Sequence, residues 1–487
     1  MAAATIPAGM FLDGAWTAAA DGRTREASSP STGEAIGEVA EGGREDARRG
    51  VEAAAAAFPA WSRLSAFERA GALERVAAAC ERRREELAQA LTLDQGKPLH
   101  SEAYVEVDEL IEMWREAGQD AVRLGGSVPQ SRSAEHRILL LRRALGPVAV
   151  VTPWNWPYTM AAEIVAPALA CGNTVVWTPA PSTAACSAVL ASCVAEAELP
   201  PGAFNFVLGP GPEVGDEIVG HPAVAAVGFV GSTATGLHVA RRAAGKAQIL
   251  EMGGNGPLVV LADADLEAAA AAAVDGAFYC AGQSCTAAER ILVQAPVHDE
   301  FVALLAARID AEVRLGDPFA KGTTMGPLNN AGVAEKMALH VGDAIERGAT
   351  VVRGGGVQEG APTRFYWQPT LLTEVAGDSL AAREETFGPI APVLRFATFE
   401  EALETANATE FGLTASIFTG DLDAGLRFAE AARFGLVNVN ESTNYFEGHV
   451  PFGGRAGTAS GVGRVGGAAV IEALTETQTV TLRASVR

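Results

Sequence analysis

The stretch Ala281-Gly282-Gln283-Ser284-Cys285 sets a thiol just beyond a helix and a glycine. A cysteine released in this way can present its sulfur to a cleft with backbone N–H groups beside it, as a thiolate nucleophile requires. A lone cysteine is also commonly a small buried hydrophobe, so other residues must decide between the two readings. Cys280, a helical turn earlier, reads as core. Glu251, followed by Gly253 and Gly254 in LEMGGNGP, is either a general base beside a tight turn or an ordinary salt-bridged carboxylate. Asn155, between Trp154 and Trp156 in VTPWNWP, reads by itself as the cap of the helix that follows. GSTATG at 231–236 opens a helix after an apolar strand, where free N–H groups and the helix dipole can hold a pyrophosphate. The G-x-G-x-x-G spacing of the usual dinucleotide fingerprint is absent, and a generic strand-to-helix turn reads alike.

Several elements must position these residues. Residues 43–120 carry apolar positions at helical spacing, such as Leu73, Val76 and Ala77, and read as a run of surface helices punctuated by DQGKP at 94–98. From 146 onward, short β-branched runs alternate with helical segments: PVAVVT, YTMAAEIVAPALA, TVVWTPA, a helix through Cys193, FNFVLG, AAVGFVG and QILEMGG. That alternation predicts βαβ units and a parallel sheet. A second α/β pattern starts at GPLVVLADADLEAAAAAAVDGAFYC, with Asp263 and Asp265 as candidate helix caps and a helix ending before Gly282, so Cys285 falls on a loop. HRILLLRRALG and TETQTVTLRASV stand apart from both patterns and pair as a small exposed sheet whose edges invite a partner subunit.

The bulk numbers exclude other classes. A chain of 487 residues predicts two or three domains. Its 37 Lys and Arg against 59 Asp and Glu leave a net charge of −22, which repels phosphate backbones and anionic lipid, so neither nucleic acid nor membrane is an expected partner. The 6 cysteines form no CxxC pair and have no His-x-x-x-His companions, which suggests reduced thiols, no metal site and a cytoplasmic location. The N-terminus lacks the pattern of a secretion signal, and no uninterrupted apolar stretch is long enough to span a bilayer.

From FLDGAW at 11 to TETQTV at 475, the chain resembles the aldehyde dehydrogenase superfamily. The likeness rests on motifs in the family's order: VTPWNWP at 151–157, FVGSTATG at 229–236, LEMGGNGP at 250–257, GQSC at 282–285, EETFGPI at 384–390 and PFGG at 451–454. It implies two Rossmann-like parallel-sheet domains and a small β oligomerisation flap: a cofactor-binding domain at 1–123 and 144–253 with 455–472, a catalytic domain at 254–454, and a flap at 124–143 and 473–487. It implies oxidation of an aldehyde to a carboxylic acid with NAD, or NADP, by a homodimer or homotetramer. Cys285 would attack the carbonyl, the Asn155 amide and the Cys285 N–H would hold the oxyanion, and Glu251 would activate water to hydrolyse the thioester. The cofactor would lie against Trp154, Thr178, Gly231, Ser232, Gly236, Gly253 and Glu385, with Phe387 packing nearby. The substrate would meet Trp156, Met160 and Glu163 on one side and Ser284, Thr286, Tyr445 and Phe446 on the other. A CoA-acylating or phosphorylating relative on the same fold, which usually lacks this glutamate, and a catalytically silent binding or structural relative are the alternatives.

The pattern is broken in places. Relatives commonly carry Lys-Pro-x-Glu after the strand TVVW, where this chain has Thr178-Pro179-Ala180-Pro181, so both polar contacts to the adenosine ribose are replaced. A lysine and a glutamate proposed as a proton relay are replaced by Ile164 and Val465, which sends protons out by another route. Relatives acting on succinate semialdehyde place an arginine where this chain has Glu163. A glutamate there argues for a neutral, hydroxylated or amine-bearing aldehyde, unless it points to solvent or pairs with Arg464.

Overall fold

The structure, a computed structural model, describes residues 6–483; residues 1–5 of the expected first domain and 484–487 of the expected flap lie outside the described residues. Strands Pro147–Thr152 and Thr174–Pro179 are rich in valine and buried almost throughout, as strands covered on both faces must be. With Phe204–Phe206, Ala226–Val230 and Ala247–Glu251 they form the parallel centre of an eight-stranded sheet. Antiparallel strands close its sides: Gly461–Val462 on one, Met10–Leu12 and then Ala15–Thr17 on the other.

Strand Pro147–Thr152 is central, and the chain winds outward from it in both directions, to Thr174–Pro179 on one side and Ala226–Val230 on the other. The carboxyl ends of these outward-diverging strands leave a crevice between them, the usual ligand position in an open α/β sheet. Helix Thr159–Ala170 follows the central strand and is buried at every residue, so its Ala, Ile and Val side chains pack on all sides. The helices at 44–123 are not merely a surface layer. Helix Arg84–Gln95 is largely buried, and Trp61 reaches across to donate its indole N–H to the Leu169 carbonyl at 3.2 Å.

The second sheet has seven strands, with Gly256–Val260 and Ala288–Gln294 at its parallel centre and Thr350–Arg353 as an antiparallel edge. Asp265 caps helix Leu266–Phe278 by accepting from the Glu267 and Ala268 N–H groups, whereas Asp263 accepts from the Thr419 hydroxyl. The loops that precede the strands of this sheet, at 253–255, 283–287 and 384–389, face the carboxyl ends of the first sheet. The third unit is a ribbon in which His136–Ala144 and Thr475–Arg483 pair antiparallel along their whole length.

Candidate active site

Two cavities meet at Cys285, which is half-buried between them. The first, of about 260 Å³, occupies the crevice of the eight-stranded sheet, with Trp154 and Asn155 from the end of the central strand and Gly231 and Ser232 from the end of Ala226–Val230. Glu251, Gly253, Glu385 and Phe387 complete that wall. The second, of about 500 Å³, is lined by Trp156, Met160, Ser284, Thr286, Tyr445 and Phe446. Met160 belongs to both.

The backbone that presents Cys285 is forced. Cys280 and Ala281 adopt φ of 53° and 52°, and Gly282 follows at 68°, a left-handed turn that side chains other than glycine rarely tolerate. At Gly282 a Cβ would also lie 2.2 Å from the Gly388 carbonyl oxygen, so glycine is needed twice over. Gln283 braces the turn: its amide donates to the Cys280 carbonyl at 2.9 Å and accepts from the Asn329 N–H at 2.9 Å. Cys280 itself is buried, with its N–H donated to Glu102 at 3.1 Å, and burial pushes its thiol up to about 12. It is packed rather than presented.

Asn155 is not a helix cap. The N-terminus of helix Thr159–Ala170 is served by Glu106, whose Oε1 accepts from the Tyr158 N–H at 2.9 Å. The Asn155 amide donates to the Gln283 carbonyl at 2.9 Å, which ties the end of the central strand to the loop of Cys285, and Asn155 lines the same cavity as Cys285.

Glu251 is buried and, among the described residues, has no ion-pair partner and no hydrogen bond to its Oε1. Burial pushes its carboxyl up to about 8, a rise opposed by a hydrogen bond from the Cys285 thiol and reinforced by the charges of Glu163 and Glu385. Burial and then the Glu251 charge hold the Cys285 thiol well above its ordinary range. The two groups line one cavity and both are pushed toward their neutral forms, so Glu251 must lose its own proton before it can accept one. The glycines after Glu251 allow close approach: a Cβ on Gly254 would lie 2.0 Å from the Cys285 carbonyl oxygen, and one on Gly253 would lie 2.8 Å from Glu385.

The first cavity joins a helix N-terminus to a carboxylate. Gly231 and Ser232 line it, and Ser232 caps helix Thr233–Arg242, whose N-terminus carries the positive end of the helix dipole, where an anion is favoured. Glu385 accepts from the Gly254 N–H at 2.8 Å and turns into the cavity, where a carboxylate suits sugar hydroxyls. Phe387, at φ 57°, packs edge-on to Trp154 at 5.4 Å between ring centres and narrows the passage toward Cys285.

Three expected residues line neither of these cavities. Thr178 is buried within its strand. Gly236 serves packing, since a Cβ there would lie 2.2 Å from the Met252 sulfur. Glu163, expected on the substrate face, lines a separate small cavity that shares Met113, Glu116 and Gly448 with the second cavity. It neither points to solvent nor pairs with Arg464, which donates instead to the Gly454 and Gly463 carbonyls. Ile164 lies against Gly228, and Val465 is buried, so the two positions of the missing relay are apolar packing.

Other contributors left no local signal in the sequence. Glu289 accepts from the Thr386 and Phe387 N–H groups at 2.9 and 2.7 Å and so fixes the loop that carries Glu385. Lys97, buried, pairs with Glu106 at 2.5 Å and stands 3.1 Å over the Trp156 ring. Lys336 lines the first cavity, and Glu109, Glu112, Glu116 and Glu447 line the second.

Residues 16–480 match the profile of the family described as "Aldehyde dehydrogenase family". The chain is 38% identical over 474 residues to a 3-sulfolactaldehyde dehydrogenase of Pseudomonas putida, covering 97% of this chain and 96% of that protein. It is 37% identical over 462 residues to an NADP-dependent succinate-semialdehyde dehydrogenase of Escherichia coli, covering 94% of each. Among solved structures it resembles a betaine aldehyde dehydrogenase of Staphylococcus aureus in complex with NAD+, with TM-score 0.94, 32% identity, and coverage of 99% of this chain and 96% of that one.

Proposed function

The chain belongs to the aldehyde dehydrogenase family and oxidises an aldehyde to a carboxylic acid with a nicotinamide cofactor, and we propose that Cys285 is its nucleophile, Asn155 its oxyanion donor and Glu251 its base. The observation that carries this reading is the meeting of two cavities at Cys285, one of which is lined also by Asn155 and the buried carboxyl of Glu251.

Glu251 takes the thiol proton as the sulfur attacks the aldehyde carbon. The negative oxygen that forms meets the free N–H of Asn155 and the Cys285 N–H; loss of one such donor costs on the order of a hundredfold in rate. When bound, the nicotinamide supplies the hydride acceptor that turns the thiohemiacetal on Cys285 into a thioester. Gly231, Ser232 and the first turn of helix Thr233–Arg242 would hold its phosphates, and Glu385 its ribose. Once it has passed the thiol proton to solvent, Glu251, through its unpartnered Oε1, orients and deprotonates a water that attacks the thioester carbon and releases the acid and the Cys285 thiolate. A base in this place favours hydrolysis over transfer to coenzyme A.

We assign cofactor binding to 1–123, 144–253 and 455–472, catalysis to 254–454, and oligomerisation to 124–143 and 473–487. The two sheets support the first two. For the third, a two-stranded ribbon is marginal alone, and its half-buried Ile138, Leu139, Leu140 and Leu141 favour a homodimer or homotetramer built on it. Six free thiols favour a reducing, cytoplasmic setting.

The test follows absorbance at 340 nm with an aldehyde panel and NAD or NADP. Wild type should turn over, Cys285→Ala should be inactive, and Glu251→Gln should give a single burst of reduced cofactor. An active Cys285→Ala variant would overturn the assignment, and dependence of turnover on added coenzyme A would revive the acyl-transfer alternative.

A further inference from the structure

The relatives are named for aldehydes of opposite charge, so family membership leaves the substrate's charge open, and the walls of the substrate cavity address it. They carry four carboxylates, Glu109, Glu112, Glu116 and Glu447, and neither lysine nor arginine. His449 stands with Glu447 at 3.4 Å. Lys97, over the Trp156 ring, is committed to Glu106.

Behind this wall, and sharing Met113, Glu116 and Gly448 with it, lies a cavity of about 30 Å³, enough for one small polar group. Glu163 lines it, 6% exposed, with both carboxylate oxygens lacking any hydrogen-bond partner. It sits on the same helix as Met160, three residues on and about 4.5 Å further along the axis. A buried carboxylate with no donor is costly unless something outside the chain supplies one. We propose that the substrate is a short aldehyde with an ammonium group at its far end, held by Glu163 with Glu116 and Glu109 while its carbonyl meets Cys285. This rests on the aldehyde-oxidising reading of Cys285.

The chemistry is complementary throughout. An ammonium brings three donors to the unpartnered oxygens of Glu163. Trp156, Tyr279 and Phe446 line the approach with aromatic surface, which attracts a cation in transit. Burial pushes Glu163 up to about 8 and the charge of Glu109 raises it further, the condition of an acid that lacks a counter-cation. Asp120 is the wall residue of the small cavity that already has a cation near it, Arg123 at 3.6 Å.

The experiment compares kcat/KM for 3-aminopropanal, butanal and succinate semialdehyde in the full-length enzyme, the Glu163→Gln and Glu163→Arg variants, and the exposed-site variant Glu109→Gln. Wild type should prefer the amine over both others by at least about tenfold. In Glu163→Gln the amine-to-butanal ratio should fall about tenfold, chiefly through KM, and Glu163→Arg should shift preference toward succinate semialdehyde. Glu109→Gln should lower the same ratio by a smaller factor and guards against misfolding of the buried variants. Propylamine, but not propionate, should compete with substrate. Turnover of butanal as efficient as that of the amine, or a ratio unmoved by Glu163→Gln, overturns this inference and leaves the reaction class standing. No turnover of any aldehyde would sink both.

Discussion

At the scale of single residues, activity depends on where one proton sits. Glu251 must be ionised to accept a proton from thiol or water, and burial raises its carboxyl to about 8. The carboxylate form grows as pH rises through that value, and below it the active fraction falls about tenfold per unit. We therefore expect kcat to climb from pH 6 to about 8 and then level off, with the burst phase of Glu251→Gln lacking this rise. A profile of kcat that is flat from pH 6 to 9 would contradict the assignment of Glu251 as the base. The residue types at this site were legible in the sequence, because Asn155, Glu251 and Cys285 stand in spaced motifs. Glu163 was legible as a charge but not as a buried, unpartnered one. Its surroundings come from helix Tyr104–Arg123 and the loop near Gly448, distant in sequence.

At the scale of elements, the site depends on loops pressed against each other. Gly254 and Cys285 belong to different loops, and a Cβ on Gly254 would collide with the Cys285 carbonyl, backbone against side chain with no flexible end to yield. Gly254→Ala should cost on the order of a hundredfold or more in kcat, since a misplacement of about 1 Å suffices for that. Gly342→Ala, in helix Ala331–Glu346 with open space around it, is the matched control and should keep full activity. Steady-state kinetics with titration of the reactive thiol decides it; full activity in Gly254→Ala would show that the contact does not position the nucleophile. The strands and helices at 146–282 follow the alternation of apolar runs visible in the sequence, because burial on both faces of a parallel sheet leaves that pattern. The left-handed turn at Cys280 and Ala281 does not, since neither residue type announces a positive φ.

At the scale of the whole molecule, acidic groups are buried beyond what buried cations offset. Burial raises Asp94 and Glu102 to about 7 and Glu163 and Glu251 to about 8. The folded state thus holds protons that the unfolded chain releases near pH 4, so this stabilisation is complete below that pH and is lost as pH rises through 7 to 8. The melting temperature should fall between pH 6 and pH 9, and Glu163→Gln should shrink the fall; calorimetry across that range checks it, and a melting temperature that rises with pH would refute it. By itself the sequence determined the α/β class, the reaction and the three residues proposed to carry it, because these depend on local periodicity and on motifs a few residues long. Only the tertiary structure decided that Glu106, rather than Asn155, serves the helix after the central strand, that Thr178 and Gly236 line neither cavity at Cys285, and that carboxylates from two separate segments line the second. Those outcomes depend on which distant surfaces come within a hydrogen bond of each other, and short-range pattern carries no record of that.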